Sequence, residues 1–376
     1  MTQSSPAFSR TGVAIKAIAL FVLTLFALQG LLVLLTALGS PLPLLLVLGI
    51  AALIGVVTAA IVWLFRRRRP DRAPFWRSWL SATTIWALLL LALVSIPYLW
   101  MIYVSAVEPL SLPRIVLSNG KKEVVYQGMV HVGSEPFYQG VVFDMVDAAD
   151  KQYAMLFEGV QGGSPENEQR FNELMGTRGT DLNQMYDAVA QQCNLHFQND
   201  YFRVFADDMV DKPDQFITAD VNVDDMMAEW DRLVAADPTL LEQMPEVKPA
   251  EAADQQDDTM AGLLENLKNL TPGQQSLVGL ACQTMFNMTL DDTKTTSDDK
   301  SPFMEKIVLE YRNRHLTDTI LQSPAERIYI TYGADHFKGV YKLLQAADPA
   351  WTIKDVSWRQ AIEDRVAVEN ELQLEP

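Results

Sequence analysis

Three long stretches of this chain are almost free of charge, and they limit what it can fold into more than anything else in it. Residues 13–38 are apolar apart from Lys16 and Gln29, and residues 44–65 and 79–107 contain no charged side chain. A helix crosses a bilayer core with roughly 20 apolar residues, so each stretch is long enough to span. Gly39-Ser40-Pro41-Leu42-Pro43 punctuates the first two and predicts a helical hairpin. Trp79, Trp86, Tyr98, Trp100 and Tyr103 are expected toward the ends of the third, where amphipathic rings favour the membrane interface, and Pro97 is expected to kink it. A cleavable signal peptide is the competing reading of the first stretch. Its apolar core is usually only about 7–15 residues and no second span follows at once. Residues 1–108 are therefore expected to be an anchor with spans at 13–38, 44–65 and 79–107.

Charge separates the rest of the chain from this anchor. The full chain carries −17; the part up to Leu112 carries +6, which leaves −23 for the remainder. So acidic a domain repels phosphate backbones, and nucleic acid is not an expected partner. Arg66 to Arg69, Arg72 and Arg77 lie between the second and third stretches, and short Arg-rich loops stay cytoplasmic. With a cytoplasmic amino terminus and three crossings, residues 109–376 are expected outside the cytoplasm, with the bilayer as the first partner. That compartment permits disulfides. The two cysteines, Cys193 and Cys282, either pair there or remain separate buried thiols, since sequence separation does not fix the distance between them.

Within the outer part, Asn119-Gly120 predicts a hairpin between strands near 114–117 and 123–132. A helix follows over 137–149, a buried strand over 153–160, helices over 166–175 and 182–193, and short strands at 203–205 and 216–221. Helical spacing returns at 224–235. Polar segments at 245–258 and 291–302 bracket helices over 260–270 and 273–288, so 239–302 is expected to be a helical insertion. A long helix over 303–321, a strand over 327–332, a helix over 336–345 and a strand over 351–358 complete the chain. Alternation of this kind predicts an α/β domain with a mixed central sheet, buried at its centre and flanked by antiparallel edges.

Two of the four histidines share one context. Gly128-Met129-Val130-His131 and Gly333-Ala334-Asp335-His336 each follow an apolar strand, and a third strand ends at Glu158-Gly159. Ligands of open α/β sheets bind beyond the carboxyl ends of the strands, so His131, Glu158 and His336 are expected at one edge. Two His and one Glu can hold a metal with open positions for water and substrate. Taken singly, each His is more often a hydrogen-bonded structural residue, and Glu158 could cap a helix or pair with Arg312. Asp220 lies at another strand end, and Asp335 could orient an imidazole. His196 and His315 have no such context and read as structural. Gly159 to Ser164 lacks the Lys-Ser/Thr of a phosphate loop and reads as a turn.

The segments Gly128 to Tyr138, Leu156 to Val160, Tyr311-Arg312-Asn313-Arg314 and Gly333 to His336, in that order, resemble the TraB, PrgY and Tiki family. The resemblance implies an α/β fold shared with erythromycin-esterase and ChaN-like proteins. In the Tiki branch it implies a divalent-metal-dependent peptidase. Carried over, it makes His131, Glu158 and His336 the catalytic residues and the ligands of a Mn, Co or Zn ion, and Arg312 a structural or substrate-orienting residue. The expected function is a membrane-anchored metal-dependent hydrolase, acting on a peptide or protein at the outer face of the cell membrane. The alternative is a non-catalytic protein of the TraB or ChaN type that binds peptide, haem or metal.

Overall fold

The computed structural model describes residues 10–37, 41–66, 74–107, 109–176, 182–244, 270–292 and 301–362. The chain forms two compact units. One comprises Met1–Tyr103 with Asn269–Leu280, and the other comprises Val104–Lys268 with Ala281–Pro376. The expected insertion is thus divided between them, part of the helix Pro272–Asp292 belonging to each. The helix expected over 260–270 and the linker over 245–258 lie outside the described residues, apart from Leu270.

Three helices dominate the first unit: α1 (Arg10–Ala37), α2 (Leu42–Phe65) and α3 (Phe75–Val107). All three are long and apolar enough to cross a membrane. Ile18, Phe21, Leu46, Leu53 and Leu93 point outward, presenting a surface that suits hydrocarbon and is costly in water. Between helices that all present apolar side chains to lipid, association depends on close backbone approach at small residues. A Cβ on Gly30 would fall 1.8 Å from the Leu91 carbonyl oxygen, and one on Gly55 would fall 2.3 Å from Thr83 Oγ1. The indoles of Trp79 and Trp86 are used for the same purpose. Trp79 Nε1 donates to the Ala52 carbonyl at 3.3 Å and Trp86 Nε1 to Thr58 Oγ1 at 3.1 Å. Pro97 lies inside α3, which continues through it.

The second unit is an α/β domain on a six-stranded mixed sheet of order β6-β4-β7-β2-β1-β8. The strands are β1 (Ser111–Ser118), β2 (Glu123–Met129), β4 (Ala154–Phe157), β6 (Phe216–Thr218), β7 (Arg327–Gly333) and β8 (Thr352–Gln360). β3 (Val132–Gly133) and β5 (His196–Phe197) form a separate pair. The hairpin from β1 to β2 turns at Gly120, whose φ of +83° suits glycine, and Asn119 Oδ1 accepts from the Lys121 and Lys122 amides. β2 pairs parallel with β7, β7 with β4, and β4 with β6. Only the β1–β8 side is antiparallel; the opposite edge, β6, is parallel, because its connection crosses over from β4 through helices.

Alternation in the strands explains the two cores. Val125, Met129, Met155, Phe157 and Tyr329 face α4 (Glu135–Asp150) on one side of the sheet. Val124, Tyr126, Leu156, Ile328, Ile330 and Tyr332 face Leu316, Ile320, Val340, Leu344 and Trp351 on the other. Parallel strands buried on both faces read as continuous apolar runs for this reason. Residues 203–205, expected as a strand, form a 3-10 turn, since they connect two short helices and have no sheet neighbour. The long helix expected over 303–321 is a π-helix over Met304–Tyr311 that becomes α-helical over Arg312–Gln322. Cys193 and Cys282, left open by the sequence, pair as a disulfide with Cα atoms 5.2 Å apart. Asn287, which begins a glycosylation sequon, is buried, and its Oδ1 accepts from the Leu110 amide at 3.1 Å, so it is structural.

Candidate functional site

Four neighbouring parallel strands end side by side, and each delivers an ionisable side chain just past its last residue. Asp220 follows β6, Glu158 follows β4, His336 follows β7 and His131 follows β2. This is the sheet edge at which ligands of open α/β folds bind. Arg312 joins them from the first position of the helix Arg312–Gln322, directly after the π-helix. Single-turn π segments often mark functional positions; this one is longer.

Arg312 occupies the centre. Its Nε donates to Asp220 Oδ1 at 2.9 Å, and its Nη2 donates to Asp220 Oδ2 and to Glu158 Oε1, each at 2.6 Å. The guanidinium carbon lies 5.1 Å from the centre of the Tyr332 ring. The Arg312 side chain is 6% exposed and that of Asp220 0%, so the pair is shielded from water. Burial on its own raises the pKa of both Asp220 and Glu158, but the guanidinium outweighs it and holds both carboxyls below their ordinary values. Of the two readings of Glu158, pairing with Arg312 is the one observed.

The second glycine of the repeated motif has a specific task. Gly333 donates its amide to Glu158 Oε2 at 2.6 Å, and a Cβ there would meet His336 Cδ2 at 3.2 Å and Glu158 Oε2 at 3.4 Å. Gly128 is equally crowded, by the Pro113 carbonyl and the Ala334 methyl. Both glycines therefore admit parts of the protein itself.

The imidazoles are fixed in different ways. His336 is buried, and its Nδ1 lies 2.8 Å from Asn313 Oδ1, an acceptor, so Nδ1 carries the proton and Nε2 a lone pair. That Nε2 is 3.4 Å from Arg312 Nη1 and 3.9 Å from Glu158 Oε1. Burial, with Arg312 second, pushes His336 down to about 4, against the pull of Glu158. His131 is half-buried, stacked on Tyr186 at 4.4 Å between ring centres, with Nδ1 2.9 Å from Gln198 Nε2. An amide nitrogen can only donate, so here Nδ1 accepts and the proton sits on Nε2. Burial lowers His131 as well, and Glu158 and Arg312 act on it with opposite signs. Both rings are thus neutral at pH 7.

Asn313 takes the orienting role considered for Asp335. His196, read as structural, lies 3.9 Å from Glu135 Oε2 and edge-on to Tyr201. Gln198 and Tyr186 were not legible in the sequence, since neither belongs to a motif. Gln127 Oε1 and Thr331 Oγ1, on facing residues of β2 and β7, are buried without a hydrogen-bond partner in the protein.

This donor set fits a metal in part. The spacing of His336 Nε2 from Glu158 Oε1 is one that two ligands of a single ion can have, and a ligating His commonly donates its other N–H as His336 does to Asn313. Arg312 Nη2, however, already lies against the same Oε1, and His131 presents N–H unless the Gln198 amide is reversed. Among the described residues, no three His, Cys, Asp or Glu side chains are gathered as a metal centre. No protein-family model, curated protein or solved structure matches this chain.

Two outcomes follow from the geometry. Replacing Arg312 by Met leaves two largely buried carboxylates without a counter-ion and should destabilise the protein by ~3–5 kcal/mol; adding Asp220→Asn should recover part of that, in thermal unfolding of the detergent-purified chain. The second concerns acid. An unfolded His binds a proton below about 6.5, whereas folded His336 does so only near 4. Between those values the unfolded state holds more protons, so stability should fall as pH drops from 6.5 to 4, by roughly 3 kcal/mol from this group. The His336→Gln variant should show a shallower decline over the same interval.

Proposed function

We propose that this chain is a membrane-anchored hydrolase whose second unit hydrolyses an amide bond, in a peptide or protein, outside the cytoplasm. The reading rests on one observation: four adjacent strand ends bring two neutral imidazoles, an ionised carboxylate and a buried ion pair to one sheet edge. Neutral imidazoles together with an anionic carboxylate are what a hydrolytic divalent ion of the Mn, Co or Zn type requires. His336 and Glu158 would hold it, with His131 added if its amide partner reverses. Such an ion supplies an acidified water and polarises the scissile carbonyl. The chain's own residues have separate tasks. Asn313 keeps the lone pair of His336 directed at the site, and Gln198 and Tyr186 hold the plane of His131. Arg312 keeps Glu158 ionised. Both His336 and Glu158 are weakened as bases by their surroundings, which favours assisted over unassisted activation of water.

The position of Arg312 favours a second reading. A guanidinium between Glu158 and His336 can serve as the site's fixed cation, and the cleft then binds an anionic or peptide ligand without turnover, as in the TraB- or ChaN-type alternative. Metal content separates the two. Detergent-purified protein should contain close to one equivalent of a divalent ion, and Glu158→Ala and His336→Ala should each lose most of it. The double variant should be no worse than the single ones, because the missing ligands act as a unit. A metal-free protein that retains peptide without product would establish the binding reading.

Orientation is part of the proposal. The cluster Arg66 to Arg69, Arg72 and Arg77 favours a cytoplasmic loop between α2 and α3, and the Cys193–Cys282 bond favours an oxidising compartment for the second unit. A cysteine introduced at the exposed Gly120 turn should react with an impermeant thiol probe in intact cells. Labelling only after lysis would reverse the orientation.

A further inference from the structure

β8 is the last strand of the sheet order, and its outer edge has no partner among the described residues. Edges of this kind are normally short, broken or masked, because unpaired N–H and C=O groups recruit another strand. β8 is nine residues long and contains no proline. Its one irregularity is a bulge at Lys354, where the register with β1 passes from Asp355↔Val116 to Ile353↔Leu117, so residues 355–360 run regularly. Along it Ile353 and Val356 are each 42% exposed and Trp358 is 61% exposed, an apolar series with an aromatic of the type enriched at protein interfaces.

The sequence of β8 is complementary to itself. Facing residues in a continuous antiparallel sheet point to the same side, so a two-fold axis normal to the sheet must pass through a residue. An axis through Asp355 would set two like charges opposite each other. One through Val356 would set Asp355 opposite Ser357 and leave Arg359 without an acid. An axis through Ser357 sets Val356 opposite Trp358 and Asp355 opposite Arg359, and each pair occurs twice. Cross-strand pairs of both types favour association. On that side Arg359 and Arg114 of one chain share a single carboxylate, Asp144, at 2.6 and 3.3 Å, so Asp355 of a second copy would arrive where cations are in excess. Lys354 and Arg359 also outnumber Asp355, so the strand is locally positive in a domain of charge −23, and two such domains repel least here.

We propose that β8 is a homodimer edge, pairing antiparallel with β8 of a second copy about a two-fold axis through Ser357 and joining two six-stranded sheets into one of twelve. The inference is independent of the hydrolase reading. On the axis a residue faces its own copy, and Cα atoms directly opposite in antiparallel strands are about 4.5–5.5 Å apart, within disulfide range. Cys193 and Cys282 are the chain's only cysteines and are bonded to each other, so an engineered thiol would be the single free one.

The test uses the full chain in membranes under mild oxidation. Ser357→Cys should give mostly covalent dimer on a non-reducing gel. Val356→Cys, which faces Trp358, should give several-fold less, and so should Lys121→Cys in an exposed turn, which reports chance collision. Adding Trp358→Lys to Ser357→Cys should reduce the dimer several-fold. The unaltered chain, extracted in mild detergent, should have the protein mass of two copies by light scattering. A mass of one copy, or cross-linking from Lys121→Cys or Val356→Cys as strong as from Ser357→Cys, would overturn the proposal.

Discussion

The contact between Arg312 and the two carboxylates of Asp220 and Glu158 constrains everything at the carboxyl edge of the sheet. Asp220 is fully shielded from water and Glu158 nearly so, and neither could stay ionised there without a cation. One guanidinium serves both because its fork presents several donors in a plane. The cost is that the helix Arg312–Gln322 must begin at one place. That start coincides with the change from π- to α-helical winding, which sets the phase of Arg312 and Asn313 together. Asn313 then fixes the ring of His336, so a single helix end determines the charge of one acid and the tautomer of one base.

Around that contact the protein divides its surfaces by solvent. The first unit places apolar side chains outward and uses glycine, threonine and indole nitrogen between helices, as suits a surface that meets lipid. The second unit buries both faces of the central strands of its sheet. Its exposed apolar groups include Ile353, Val356 and Trp358 of β8, along an edge that has no partner strand among the described residues. Within the second unit the disulfide ties Cys282 to Cys193, which directly follows Leu182–Gln192, the helix that supplies Tyr186 to His131. The covalent tether and the half-buried imidazole are thereby connected through one helix.

Much of this was legible in the residues themselves. Three nearly uncharged stretches determined the helices of the first unit, because no other element can satisfy its backbone within itself over such a length of apolar chain. Apolar runs ending at Glu158 and in the two Gly-x-x-His motifs marked strand ends, and the alternation of such runs with helices predicted a sheet buried at its centre. Asn-Gly determined a turn. Tertiary structure alone decided the order of the strands, and with it that Asp220 belongs beside Glu158. It decided that Arg312 lies between Glu158 and His336, that Gln198 and Tyr186 hold His131, and that Cys193 meets Cys282. The physical reason is common to these cases. Periodicity and composition report how one segment meets solvent or core, whereas a charge pair, a tautomer or a disulfide depends on distances between segments far apart in sequence, which only the packed sheet and helices set.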